Sequence, residues 1–151
     1  MEWKAGLLLR IRNYRFEDDQ SFKDKYAIVL FVNDDNAYLI HSLTTSQNSR
    51  NFPAGNYGCS VHQGIPYFIP QNQVIGDEAY FFDRDTFIFF GNNVRKEPIN
   101  KFDAASKTLF GIATLGVLST DELKRILKCA LKSRYLVLEV QRDLLAYKDI
   151  L

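Results

Sequence analysis

The sequence is poor in the residues that most often announce chemistry. It holds two cysteines, Cys59 and Cys129, and two histidines, His41 and His62. The cysteines lie far apart without CxxC spacing, and the histidines have no ligand-like separation. Zinc and dithiol motifs are therefore excluded, and no metal site is expected. The simplest expectation for the thiols is that both stay free in a reducing cytosol. Charge is nearly balanced, with 19 Lys and Arg against 18 Asp and Glu, net +1. No global field draws the chain to nucleic acid or acidic membranes, so a polyanion site would have to be a local patch. No apolar run approaches a membrane span, and the opening MEWKAGLLLR has too short an apolar core for a signal peptide. The expectation is a soluble, cytoplasmic protein with no membrane partner. GxxxxGK(S/T), GxGxxG and GxSxG are all absent, which removes motif support for nucleotide-fold enzymes and serine hydrolases.

What is present is aromatic and β-prone. Twelve Phe and eight Tyr in 151 residues favour strands, and the length suits one domain, 1–151, with a real core. Leu7 to Ile11 reads as a first strand, and the polar stretch Asn13 to Lys25 as a loop. Tyr26 to Val32 (YAIVLFV) is short and rich in β-branched and aromatic residues, so it reads as a buried strand. Asn33-Asp34-Asp35-Asn36 is turn chemistry, because Asn and Asp tolerate left-handed backbone. Ala37 to Leu43 then returns as the second arm of a hairpin. Pro66 to Ile69 and Thr86 to Phe90 read as later strands, and Pro98-Ile99 as an edge segment.

From Phe102 the periodicity changes. Asp103 to Lys107 opens a helix. Ser119-Thr120-Asp121-Glu122 is a capping box, followed by Leu123, Ile126, Leu127, Ala130 and Leu131 at helical spacing. Leu136 to Leu151 reads as a last helix, with apolar residues at 137, 140, 144, 145 and 151. Strands first and helices last predict a mainly β fold: a small barrel or half-barrel with C-terminal helices packed on it.

Between Asn36 and Gly76 the only charged residue is Arg50. The stretch is rich in Ser, Thr, Asn, Gln and aromatics, a surface able to stack and hydrogen-bond single-stranded nucleic acid. The same residues also serve turns for backbone reasons. Asp83 and Asp85 alternate and could hold magnesium or act as acid and base, or mark a solvated turn. His41 reads as a half-buried, hydrogen-bonded strand residue or as a contact to RNA. Lys25, the run Thr44-Thr45-Ser46, and Arg50 combine cations with hydroxyls, which suits a phosphate. Such parts can also stabilise the phosphorane formed when an RNA 2′-hydroxyl attacks its own phosphate, a reaction needing no metal or cofactor.

The order of these features resembles the MazF/PemK (Kid-like) toxins, small cytoplasmic endoribonucleases of bacterial toxin–antitoxin pairs. Lys4-Ala5-Gly6-Leu7-Leu8 resembles that family's opening, a basic residue then Gly-Asp-Ile or Val. Asp24 to Leu30 is similar to its Arg-Pro-x-Val-Val strand, Leu43 to Ser46 to its Thr-Ser strand end, and Asp85 to Ile88 to its Asp-Ser-Tyr-Val segment. Gly116-Val117-Leu118-Ser119 with Glu122, Leu123, Ile126, Leu127, Ala130 and Leu131 resembles its closing Gly-x-Leu-Ser helix. The resemblance implies an SH3-like barrel, a homodimer, a cognate antitoxin, and cleavage of single-stranded RNA. It implies a catalytic set of Lys25 with Thr44, Thr45 or Ser46; beside that set, Arg50, Tyr26 and His41 are the candidate RNA contacts read from the residues. Lys25 stands where the family has arginine, Tyr26 where it has proline, and Leu7 where it has aspartate. Phe89-Phe90-Gly91-Asn92 offers neither the Arg nor the Asp used by Kid-like members. A ToxN/AbiQ-type ribonuclease barrel has a similar strand, hairpin and Thr-Ser pattern. A non-catalytic RNA-binding or protein-interaction module on the same barrel is the alternative.

Overall fold

The computed structural model describes residues 2–15, 22–46, 56–60, 66–91, 93–107 and 111–151, with the backbone alone for 13–15 and 22–23. Eight strands and three α-helices are seen among them: β1 (Leu7–Arg15), β2 (Phe22–Asn33), β3 (Tyr38–Leu43), β4 (Gly58–Cys59), β5 (Tyr67–Ile69), β6 (Thr86–Ile88), β7 (Val94–Pro98), α1 (Ile99–Ser106), β8 (Ile112–Val117), α2 (Thr120–Lys132) and α3 (Leu138–Ile150). A five-stranded sheet runs β7-β3-β2-β1-β8 and a three-stranded sheet runs β4-β5-β6. All these pairings are antiparallel. The fold is mainly β with helices at the C-terminal end, as the sequence predicts. The larger sheet is open rather than a clearly closed barrel: β7 and β8 are its edges, and among the described residues no ladder joins them.

The apolar run of β2 is continuous because both faces of the sheet are covered. Ala27 and Val29 join Trp3, Leu7, Leu9, Leu39, Leu43, Phe102 and Ile112 in a core on the α1 side. Ile28 and Leu30 join Leu8, Ile40, Tyr67, Ile69 and Ile88 and buried apolar residues of α2 and α3 on the other side. Alternation along each strand divides the two sets.

Several elements differ from the sequence reading. Asn13 to Lys25 is not one loop: β1 continues to Arg15 and β2 starts at Phe22, with Tyr14 opposite Lys23 and Arg15 opposite Phe22. Polar and charged residues can pair as strands, and hydropathy alone then mistakes them for loop. In the β2–β3 turn the left-handed residue is Ala37 (φ 56°), while Asn33 Oδ1 accepts from the Asn36 N–H at 3.0 Å. Asn therefore supplies a side-chain brace, and Ala37 carries the strained backbone. Helix α1 starts at Ile99, directly after the edge strand β7, and not at Asp103. Strand β8 is not among the elements read from the sequence, although Ala113, Leu115 and Val117 alternate with Thr114 and Gly116.

The capping box is half formed. Ser119 Oγ accepts from the Glu122 N–H at 3.2 Å, but the Ser119 N–H donates to the Ile75 carbonyl, and the Glu122 side chain points elsewhere. In α2, Leu123, Ile126, Leu127 and Ala130 are buried as the spacing predicts. In α3 only Val140 and Leu144 are buried, and Val137 and Leu145 are exposed.

The free-thiol expectation is overturned. Cys59 of β4 and Cys129 of α2 form a disulfide across 70 residues of sequence. Linear spacing cannot show that a helix face returns to a particular short strand.

Candidate functional site

The hairpin register sets the candidate residues in place. Ala27 lies opposite Leu43. One step further, the Thr44 N–H and the Thr44 hydroxyl both donate to the Tyr26 carbonyl, at 2.8 and 3.2 Å. The next residue changes sheet. Thr45 N–H donates to the Phe87 carbonyl at 2.9 Å, and the Phe87 N–H donates back at 2.8 Å. The chain thus leaves the large sheet and joins the small one between two consecutive residues. That junction brings Lys25 and Tyr26 beside Thr44, Thr45 and Ser46.

The set does not share one face. Alternation places Lys25 with Ala27 on the α1 side, across from Ile11, whereas Tyr26 lies on the side of Ile28 and Leu8. Tyr26 is 39% exposed, and its ring meets Phe82 edge-on at 6.0 Å. Thr44 is buried and its hydroxyl is engaged by the Tyr26 carbonyl, a structural role. Thr45 is partly exposed and Ser46 exposed. Arg50 and His62 lie outside the described residues.

His41 departs from a role at an RNA surface. It shares its face with Leu39 and Leu43, is 4% exposed, and packs against Phe102 of α1 with ring centroids 5.1 Å apart. Its Nδ1 has no hydrogen-bond partner among the described residues, which also departs from a satisfied core histidine. Burial pushes its pKa down to about 4, with opposing but smaller influence from Glu97. It is a neutral core residue at neutral pH.

The Asp83–Asp85 pair resolves toward a turn. Asp85 Oδ1 accepts from the Gln71 N–H at 2.8 Å, and both carboxylates are exposed. Among the described residues, no group of three or more His, Cys, Asp or Glu side chains could hold a metal ion.

Two further clusters are not apparent from linear spacing. The first is a buried clasp on α2. Glu122 is fully buried, and its carboxylate accepts from the Tyr57 hydroxyl at 2.5 Å and the Tyr67 hydroxyl at 3.0 Å. Arg125 pairs with the same carboxylate and reaches the Tyr57 oxygen at 3.2 Å. Burial, then the neighbouring carboxylate, pushes the Tyr57 phenol up to about 12, and Tyr67 moves the same way. Both phenols stay protonated and donate, so the cluster is a satisfied clamp between α2 and the β4–β5 hairpin. The disulfide lies two helical turns further along the same helix face.

The second cluster is at the junction. Arg10 of β1 lies directly across from Tyr26, and its Nε and one terminal nitrogen donate to Asp24 Oδ2 at 2.9 and 2.5 Å. The hydrogen bond to Asp24 raises the Arg10 pKa further. Tyr80 packs edge-on against Phe82 at 5.7 Å, and Phe81 beside it is 47% exposed. Strand pairing is the signal that would have found this group, once the first polar loop is read as strand.

No protein-family model matches the chain, and no curated protein matches its sequence. No helix among the described residues is long and apolar enough to cross a membrane.

Proposed function

We propose that the chain is a toxin-type, metal-independent endoribonuclease that cleaves single-stranded RNA, built on a small SH3-like β architecture of the MazF/PemK kind. The observation that carries this reading is the sheet-switching junction, where the Thr44 N–H bond to the Tyr26 carbonyl sets Lys25 and Tyr26 beside Thr45 and Ser46. Lys25 stabilises the scissile phosphate or protonates the leaving 5′-oxygen, and Thr45 and Ser46 hold non-bridging oxygens. The nucleophile is the substrate's own 2′-hydroxyl. The products are a 2′,3′-cyclic phosphate and a 5′-hydroxyl. A homodimer, a cognate antitoxin and a cytoplasmic location belong to the same reading.

The test is incubation with single-stranded RNA in EDTA, with end-group analysis of the products, alongside growth on induction in bacteria. Cleavage that survives both Lys25→Ala and Thr45→Ala/Ser46→Ala would remove this site. Sedimentation as a monomer at micromolar concentration would remove the dimer. A Cys59–Cys129 bond that persists in cell extracts alkylated at harvest would place the chain in an oxidising compartment.

The second reading is a non-catalytic RNA-binding or protein-interaction module. It is favoured by the separation of Lys25 and Tyr26 onto opposite faces and by the burial of Thr44. RNA binding without cleavage in EDTA or magnesium selects it.

A further inference from the structure

We propose that Arg10 binds a phosphodiester of single-stranded RNA at the junction, with Asp24 holding its guanidinium in the RNA-free protein and Tyr26 stacking the adjoining base. The inference rests on the RNA reading above and adds the cation that reading lacks on this face.

Arg10 of β1, Tyr26 of β2 and the buried Thr44, one residue past β3, lie in a row. Arg10 pairs with Tyr26, and Thr44 bonds the Tyr26 backbone. Adjacent strands lie about 4.8 Å apart, so the row spans on the order of 10 Å. Lys25 belongs to the opposite face by alternation, so Arg10 is the cation paired across from Tyr26. The Arg10 side chain is 41% exposed and Tyr26 39% exposed. The Tyr26 ring does not hang free: Phe82 meets it edge-on, and Tyr80 meets Phe82 the same way. The exposed part of the ring leaves surface for a base, and a guanidinium beside it adds charge, the two parts of a single-strand site.

The ion pair with Asp24 is suited to exchange. Both donors of Arg10 converge on a single oxygen, Oδ2. A phosphodiester offers two non-bridging oxygens to the planar fork, a geometry that arginine matches and lysine does not. Exposed ion pairs contribute little to stability, so losing this one costs the fold little. The carboxylate competes with phosphate for the fork and repels it, so Asp24 weakens RNA binding while it keeps Arg10 in position.

The probe is a fluorescently labelled 2′-O-methyl RNA oligonucleotide of mixed sequence, which the proposed chemistry cannot cleave. Anisotropy titrations over a salt series compare wild type, Arg10→Gln, Arg10→Lys and Asp24→Asn, with cleavage of unmodified RNA measured in parallel. Arg10→Gln is expected to weaken binding about tenfold and to flatten the salt dependence by about 0.7 log units of affinity per log unit of salt. Arg10→Lys is expected to keep the salt slope and lose part of the affinity. Asp24→Asn is expected to tighten binding about threefold, a gain that misfolding does not mimic. Arg10→Gln with wild-type affinity and slope, in an enzyme that still cleaves, overturns the role of Arg10 and leaves the nuclease reading standing. A wild type that neither binds the oligonucleotide nor cleaves RNA overturns both. If Arg10→Gln unfolds, Asp24→Asn decides: affinity at or below wild type overturns the proposal.

Discussion

The clasp on α2 and the junction at Tyr26 use similar residues to opposite ends. Each has a carboxylate, an arginine and tyrosines. In the clasp, Glu122 is fully buried, both phenols donate to it, and a disulfide closes the same helix face. At the junction, Asp24 and Arg10 are solvent-facing and the Tyr26 ring is partly uncovered. A buried carboxylate stripped of its partners is costly, so its cluster acts as structure. An exposed pair is easily exchanged, so its cluster can act on a ligand. Residue type does not separate the two; burial and satisfaction do.

The largest test breaks the clasp covalently. Cys59→Ala/Cys129→Ala releases a 70-residue closure, and chain entropy predicts a loss of about 4 kcal/mol, read as a lowered urea midpoint. Affinity for the 2′-O-methyl oligonucleotide should hold under conditions where the variant stays folded. Lost RNA affinity in the folded variant would show that the two regions are coupled.

Next, Glu122→Ala leaves two inward phenols and Arg125 without their acceptor. The expected cost is about 3 kcal/mol in denaturant unfolding. Glu122→Gln, which keeps an acceptor, should cost less. Equal losses would mean that shape, not hydrogen bonding, holds α2 in place.

A pH series separates core from junction. His41 is held neutral in the fold, with its pKa near 4, against about 6.5 in the unfolded chain. Between those values the unfolded chain binds a proton that the folded chain refuses. Stability is therefore lost as pH falls from about 6.5 to 4, by roughly 3 kcal/mol in all. His41→Leu should flatten that part of the stability profile. An unchanged profile would assign the acid sensitivity elsewhere.

The smallest stability change is expected at the junction. Tyr26→Ser should alter the unfolding free energy by less than about 1 kcal/mol, while oligonucleotide binding weakens by about 1 to 3 kcal/mol through lost stacking. A large stability loss with unchanged binding would make Tyr26 a packing residue and reverse the contrast.

Where burial imposes a pattern, the sequence made the fold legible. YAIVLFV, the Asn-Asp turn, the strand that follows it and the helix after Ser119 all emerge from periodicity and turn chemistry. The extension of β1 and β2 into NYR and FKDK does not, because these residues carry no apolar alternation. Of the candidate site, the adjacency of segments 25–26 and 44–46 follows from the hairpin. The opposition of Lys25 to Tyr26 is implicit in strand alternation, but the contribution of Arg10 needs the register of β1 on β2. Glu122 is harder still. Its sequence context explains a capping residue, yet its carboxylate turns to Tyr57 and Tyr67, about fifty to seventy residues away.

The segment Gly116-Val117-Leu118-Ser119-x-x-Glu122 can be accounted for wholly by packing. A Cβ on Gly116 would lie 3.3 Å from the Tyr80 ring, Leu118 is buried, Ser119 caps α2, and Glu122 anchors the clasp. A Cβ on Gly76, which bridges Leu118, would lie only 2.4 Å from the Val117 carbonyl oxygen. Natural selection will therefore preserve these positions in any descendant that keeps the fold, whatever that descendant does. A search keyed to this segment retrieves shared architecture. Ancestry of the proposed activity would have to be traced through positions 10, 24–26, 45 and 46.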